Sequence, residues 1–324
     1  VSELRTDPFT GRWVVVADER ARRPLPLAPP PRLPRVAPED CPFCPGNEAR
    51  TGPVIARHEG VRVVANRFPA LAVEASGEPF GAAVVQGRTG LGAHEVVIET
   101  ADHDAAFADL SDDALFAVLA AWRQRVGDLL RDARLAHVLV YKNHEAAAGA
   151  TLAHPHSQVV ATPMVPPLPD AMARRAEAHH AGTGRCLRCD AVAEARRTGA
   201  RVVGERGGVL AVAPFAARVP FETTITPVAH APRFEHADDD ALRGCASLLG
   251  TVLRRIRVAL DDPAYTLVVQ TAPRGADAGA SHWHLDVVPR LVPLAGFEWG
   301  AGTYINPTRP EDSAASLRAL SDVD

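Results

Sequence analysis

HEVVIET (residues 94–100), SDDALFAVLAAWRQRVGDLL (111–130), HVLVYKN (137–143) and SQVVATP (157–163) decide the reading of this chain, because the same order of patterns returns later in it. HEVVIET has the β-branched run of a strand. In the next segment Leu115, Val118, Leu119, Trp122, Val126 and Leu129 recur at helical spacing. Ser111 is placed to cap that helix, with Asp112 and Asp113 in its first turn. Two more strands follow. In the second half FETTITP (221–227) is the matching strand, DDDALRGCASLLGTVLRRI (238–256) the helix, and TLVVQT (266–271) and HLDVVP (284–289) the closing strands. A strand, a helix and two strands, twice over, predict an internal duplication. The expected fold class is α+β: two modules, 1–165 and 166–324, built mostly of antiparallel sheet with packed helices.

Outside these patterns, PLPLAPPPRLPRVAP (24–38) is too proline-dense for a helix or central strand and is expected to run as an extended arm over the surface. A breaker-rich stretch at 163–185 marks the expected join between the halves. The chain has 324 residues, 47% hydrophobic, enough for a sizeable core. Its net charge of -4 argues against nucleic acid as the main partner, since phosphate backbones are bound by clustered Lys and Arg. The opening VSELRTDPFT has no apolar signal region, and no run of 18 apolar residues exists, so a soluble, cytoplasmic protein with no membrane contact is expected.

The duplication extends to groups that ligate metals. The first half carries Cys41 and Cys44 in CPFC, then His103, then His154; the second carries Cys186 and Cys189 in CLRC, then His230, then His282. The middle and last histidines stand 51 residues apart in one half (103 to 154) and 52 in the other (230 to 282). Two thiolates with two imidazoles are a usual ligand set of structural zinc. A single CxxC is also compatible with a redox pair or chance, but two with histidines in matching register predict two zinc ions per chain. Cys245 shares a helical stripe with Leu242, Leu249 and Val252 and reads as core.

Both halves end in His-x-His. In HPHSQ (154–158) a strand would turn His154, His156 and Gln158 to one face. His154 then ligates metal while His156 stays free as a nucleophile, and Gln158 can donate to phosphoryl oxygens. Taken alone, HxH is more often an ordinary strand sequence.

RTDPFTGRWVVVADERARRP (5–24), CPFCPGN (41–47), VRVVANRFPAL (61–71), ETADHDAAFADLS (99–111), YKNHEAAAGATLAHPHSQ (141–158), PFETTITP and GFEWGAGTYINP together resemble galactose-1-phosphate uridylyltransferase, of the histidine-triad superfamily. The resemblance implies duplicated histidine-triad-like modules, a homodimer, and a ping-pong reaction. His156 would take a uridylyl group from UDP-glucose, releasing glucose 1-phosphate, and pass it to galactose 1-phosphate. It implies that Arg20 and Arg23 hold phosphate or sugar, that Asn66, Asn143 and Thr151 touch nucleotide or phosphate, that Phe43 lines the base pocket, and that Glu298 binds hexose hydroxyls. Each has a plainer alternative: a solvated basic patch, turn or cap residues, core, a surface carboxylate. Two departures stand out. The second half offers His284 and Asp286, with no convincing glutamate after HPHSQ for the family's other metal site, and the signature ends in HSQ where the standard enzyme has HGQ. The set Cys186, Cys189, His230 and His282 in its place and the HSQ ending are similar to a divergent branch that includes the plant ADP-glucose phosphorylase, so adenylyl transfer is the alternative activity. A zinc-ribbon-like binding module is the alternative from another class, and the acidic charge weighs against it.

Overall fold

A computed structural model of the chain describes residues 2–22, 32–291 and 293–321. In chain order the elements are β1 (Glu3–Thr6), β2 (Trp13–Val16), β3 (Val54–His58), β4 (Val61–Ala65), β5 (Pro79–Ala82), β6 (Val85–Arg88), β7 (Ala93–Ile98), α1 (Asp112–Leu130), β8 (His137–His144) and β9 (His156–Thr162). The second half adds α2 (Pro167–Thr183), α3 (Leu187–Thr198), β10 (Val202–Arg206), β11 (Val209–Val212), β12 (Thr223–Pro227), α4 (Asp239–Leu260), β13 (Tyr265–Gln270), β14 (His284–Pro289), α5 (Gly296–Ala301), β15 (Tyr304–Asn306) and α6 (Pro310–Arg318).

The expected α+β class is what the structure has. Ten strands form one sheet in the order β10-β11-β12-β14-β13-β8-β9-β7-β4-β3, with antiparallel pairs throughout. Reading outward from the central β8–β13 pair, each half runs through equivalent strands: β9, β7, β4, β3 on one side and β14, β12, β11, β10 on the other. The two halves are thus joined into a single sheet at β8–β13, where Tyr141 faces Val268 and Asn143 faces Thr266.

The helices α1 and α4 pack against one another and against the sheet. Their apolar stripes make the main core, with Leu115, Leu119, Trp122, Leu242, Leu249 and Cys245 fully buried. Both helices start on a side-chain cap: Ser111 Oγ accepts from Ala114 N, and Asp238 Oδ1 from Ala241 N. The second helix outruns the sequence reading by a turn and stops where Asp261 adopts φ 55°.

The breaker-rich 163–185 stretch, expected as the join between the halves, is largely helical. It holds the 17-residue α2. Pro167 and Pro169 fall in the first helical turn, where the missing N–H has no intrahelical acceptor to lose, and Gly184 ends the helix at φ +70°. The 165/166 boundary lies just before this helix. The N-terminal β1 and β2 join elements of the second half: β2 runs parallel to β15, and Arg5 binds the Glu311 carboxylate of α6. Of the proline-rich arm, residues 32–38 have no regular structure, and 24–31 lie outside the described residues.

Candidate active site and paired metal centres

Each repeat gathers its four candidate ligands. Cys41, Cys44, His103 and His154 form one cluster and Cys186, Cys189, His230 and His282 the other, with donor atoms within 4.8 Å of one another. A tetrahedral ion with zinc's bond lengths requires donor separations of roughly 3.3–3.8 Å. In the first cluster Cys41 Sγ and Cys44 Sγ lie 3.6 and 3.7 Å from His154 Nδ1, and His103 Nδ1 lies 3.1 Å from Cys44 Sγ and 3.4 Å from His154 Nδ1. In the second, Cys186 and Cys189 lie 3.8 and 3.5 Å from His282 Nδ1, and Cys189 lies 3.5 Å from His230 Nδ1.

The outer nitrogens fix the tautomers. A carbonyl oxygen only accepts, so each Nε2 facing one must carry the proton. That holds for His154 toward Thr100 O (2.9 Å), His103 toward Val36 O (2.9 Å), His230 toward Ala278 O (3.0 Å) and His282 toward Pro227 O (3.1 Å). All four Nδ1 atoms are left as lone pairs aimed into the clusters, the orientation that metal-bound histidines need. Burial and the neighbouring Cys41 push the bare Cys44 thiol up to about 11; burial and Cys186 push Cys189 up to about 12. A metal ion supplies the charge that lets such thiols ionise at neutral pH.

Beside the first cluster stands His156, outside the ligand set. Its Nδ1–H donates to its neighbour's carbonyl, His154 O, at 2.9 Å, leaving Nε2 unprotonated. Burial, then the charge of Lys142, lowers its pKa to about 4, so the ring is neutral at pH 7. Phe43 lies 5.1 Å from the ring, centroid to centroid. Gln158 has its carbonyl oxygen taken by Tyr141 Oη–H (3.0 Å) and His94 Nε2 (2.6 Å), which turns its amide NH2 outward as a donor. Asn143 and His156 line one narrow cleft of about 30 Å³. His156 is 9% exposed.

The other sequence candidates scatter. Asn66 Nδ2 is 3.0 Å from His94, and its Oδ1 accepts from Phe68 N, so it joins the Gln158 network through a turn. Thr151 is exposed in the loop before HPHSQ. Arg20 is exposed on a short 3-10 helix, and Arg23 lies outside the described residues. Glu298 is on α5, where its carboxylate accepts from Ala295 N at 3.0 Å; it does not line the His156 cleft.

Four residues of this environment escaped the sequence reading: Tyr141, His94, Lys142 and Glu99. Lys142 Nζ donates to Glu99 Oε2 (2.6 Å) and to His156 O (3.1 Å), both side chains almost wholly buried. Burial pushes the Glu99 carboxyl up and the Lys142 ammonium down, and their contact opposes both shifts. The available signal was a charged residue of opposite sign inside each of two apolar strand patterns, HEVVIET and HVLVYKN.

Residues 1–166 match the family described as galactose-1-phosphate uridyl transferase, N-terminal domain. The chain is 35% identical to an ADP-glucose phosphorylase of Arabidopsis thaliana, over 98% of this chain and 93% of that protein. It is 32% identical to a galactose-1-phosphate uridylyltransferase of Streptomyces lividans, over 78% of this chain and 64% of that one. The crystal structure of an ADP-glucose phosphorylase from Arabidopsis thaliana with bound ADP-glucose superposes with a TM-score of 0.87 at 33% identity, covering 99% of both chains. A family match across half the sequence, with a relative aligned along nearly all of it, shows the family: the chain belongs to the galactose-1-phosphate uridyl transferase family of nucleotidyltransferases.

Proposed function

We propose that the chain moves a nucleoside monophosphate from a nucleotide sugar to a phosphate-bearing acceptor through a covalent adduct on His156, with UDP-glucose as donor and galactose 1-phosphate as acceptor. The observation that carries this reading is the Nδ1–H bond from His156 to His154 O, which leaves Nε2 as an unprotonated, unmetallated nucleophile.

In the first step Nε2 attacks the α-phosphorus. The N–P bond forms, the P–O bond to the sugar phosphate breaks, and glucose 1-phosphate leaves with that electron pair. In the second step a phosphate oxygen of galactose 1-phosphate attacks the same phosphorus and the N–P bond breaks. No base is needed, because neutral imidazole attacks without losing a proton. The adduct makes the ring cationic, and the His154 carbonyl is positioned to stabilise that charge through the Nδ1–H bond. The outward amide of Gln158 supplies a donor for the phosphoryl oxygens. Asn143 supplies a polar group in the cleft that His156 lines, and Phe43, beside the His156 ring, an apolar neighbour. Arg20, Arg23, Asn66, Thr151 and Glu298 are proposed substrate contacts on the strength of the family motifs alone. Zinc is the ion that best fits both ligand sets. In each site, when bound, it would be structural, tying a CxxC segment to a His-x-His strand.

A second reading, adenylyl transfer of the ADP-glucose phosphorylase kind, is favoured by the 35% identity to that enzyme and by its bound ADP-glucose structure. Incubation with UDP-glucose or ADP-glucose labelled in the α-phosphate separates them. Label retained on protein from UDP-glucose supports uridylyl transfer; label only from ADP-glucose supports adenylyl transfer. No label from either would sink the covalent mechanism.

A further inference from the structure

A cavity of about 550 Å³ lies not at His156 but at the equivalent place in the second half. The strand register sets the correspondence. On β9, Gln158 faces Val96 of β7 and Tyr141 of β8, and His156 faces Ile98. On β14, Asp286 faces Thr224 of β12 and Val268 of β13, and His284 faces Gln270. His284 therefore occupies the position of His156, and Asp286 that of Gln158. The CxxC loops correspond too: Phe43 of CPFC, beside His156, is replaced by Arg188 of CLRC, beside His284.

These substitutions change what the site can do. Arg188 Nη2 is 3.2 Å from His284 Nε2, so the nitrogen that is free in His156 is engaged here. Arg188 is 8% exposed and stacks 4.0 Å over Phe9; Asp286 and then Asp7 act on it through space, but among the described residues neither forms a direct ion pair with it. The cavity's inner acids are already held: Asp286 accepts from Thr224 Oγ1 at 2.7 Å, and Glu222 from Arg218 Nε at 2.8 Å. A buried guanidinium with no directly paired counter-ion is costly, and an anion in contact with it would offset the cost. The remaining wall includes Leu168, Met172, Leu187 and Val212, and the volume is within the range of small-molecule sites, far more than a bare phosphate requires.

We propose that this cavity is a second, non-reacting site for a nucleotide-class ligand, its phosphate on Arg188 and its ring on the apolar wall. The site rests on its own residues and not on the activity assigned to His156.

Equilibrium dialysis of the metal-loaded chain with labelled AMP, UMP and inorganic phosphate tests it. An equivalent of AMP or UMP that weakens at least tenfold in Arg188→Met is expected, with the extent of label transfer to His156 unchanged. Because the readout is the Arg188-dependent equivalent, it survives even if His156 proves to carry no adduct. Should Arg188→Met lose metal or fail to fold, Met172→Trp fills the cavity from α2 and is expected to remove the same equivalent. Nucleotide binding indifferent to both substitutions overturns the proposal, as does inorganic phosphate binding there as tightly as the nucleotides.

Discussion

His156 donates its Nδ1 proton to the backbone oxygen of His154, two residues earlier and 2.9 Å away, while the His154 ring turns its own Nδ1 toward Cys41 and Cys44. One short strand entry thus presents two imidazoles in opposite states. The first is oriented for a metal by a proton on Nε2; the second is oriented for chemistry by a proton on Nδ1. The proline between them supports the extended backbone this requires.

Replacing His156 with Ala should lower nucleotidyl transfer by about 10³-fold or more. Metal content should not change, because the ring is not a ligand. Turnover assayed alongside elemental analysis checks both halves of the statement, and near-normal turnover would rule out the covalent adduct.

The two ligand sets predict two metal ions per chain. Cys41→Ala should release one and destabilise the fold by several kcal/mol, since binding energy at such a site is folding energy. Cys186→Ala should release the other. Elemental analysis that still finds two ions in either variant would refute that assignment.

The Lys142–Glu99 pair predicts an asymmetric outcome. Lys142→Met leaves a buried carboxylate without its partner and should cost about 3–5 kcal/mol, read as a fall in the denaturant midpoint. Combining it with Glu99→Leu should restore most of the loss. A double variant no more stable than the single one would show that the pair matters through packing alone.

His137 is buried with neither ring nitrogen partnered, and burial lowers its pKa from 6.5 to about 4. The folded state therefore holds a proton less readily than the unfolded chain. The stability this contributes is complete above about pH 6.5 and is lost as pH falls toward 4, on the order of 3 kcal/mol in all. His137→Phe should flatten that part of the stability–pH curve. An unaltered slope between pH 6.5 and 4 would assign it to other groups.

Much of the molecule was legible from local pattern. The stripe in SDDALFAVLAAWRQRVGDLL gives α1 and its buried face, and Ser111 its start, because helical periodicity and capping act within a few residues. The order Cys-Cys-His-His, repeated at nearly equal spacing, was enough to foresee both clusters, since a metal demands a fixed set of donors. The breaker composition of 163–185 did not show that the stretch holds α2, because proline is a breaker only where a helical N–H is needed.

By itself, then, the sequence determined the repeated order of strands and helix, the two cysteine–histidine clusters and the place of His156 beside one of them. Only the tertiary structure decided that β8 and β13 join the halves into one sheet, that Lys142 meets Glu99 beneath His156, and that Arg188 reaches His284 beside the larger cavity. The physical reason is range. Periodicity, caps and ligand spacing are written in neighbouring residues, whereas contacts such as Arg188 with His284 are set by how distant strands pair and pack, and no local pattern encodes that choice.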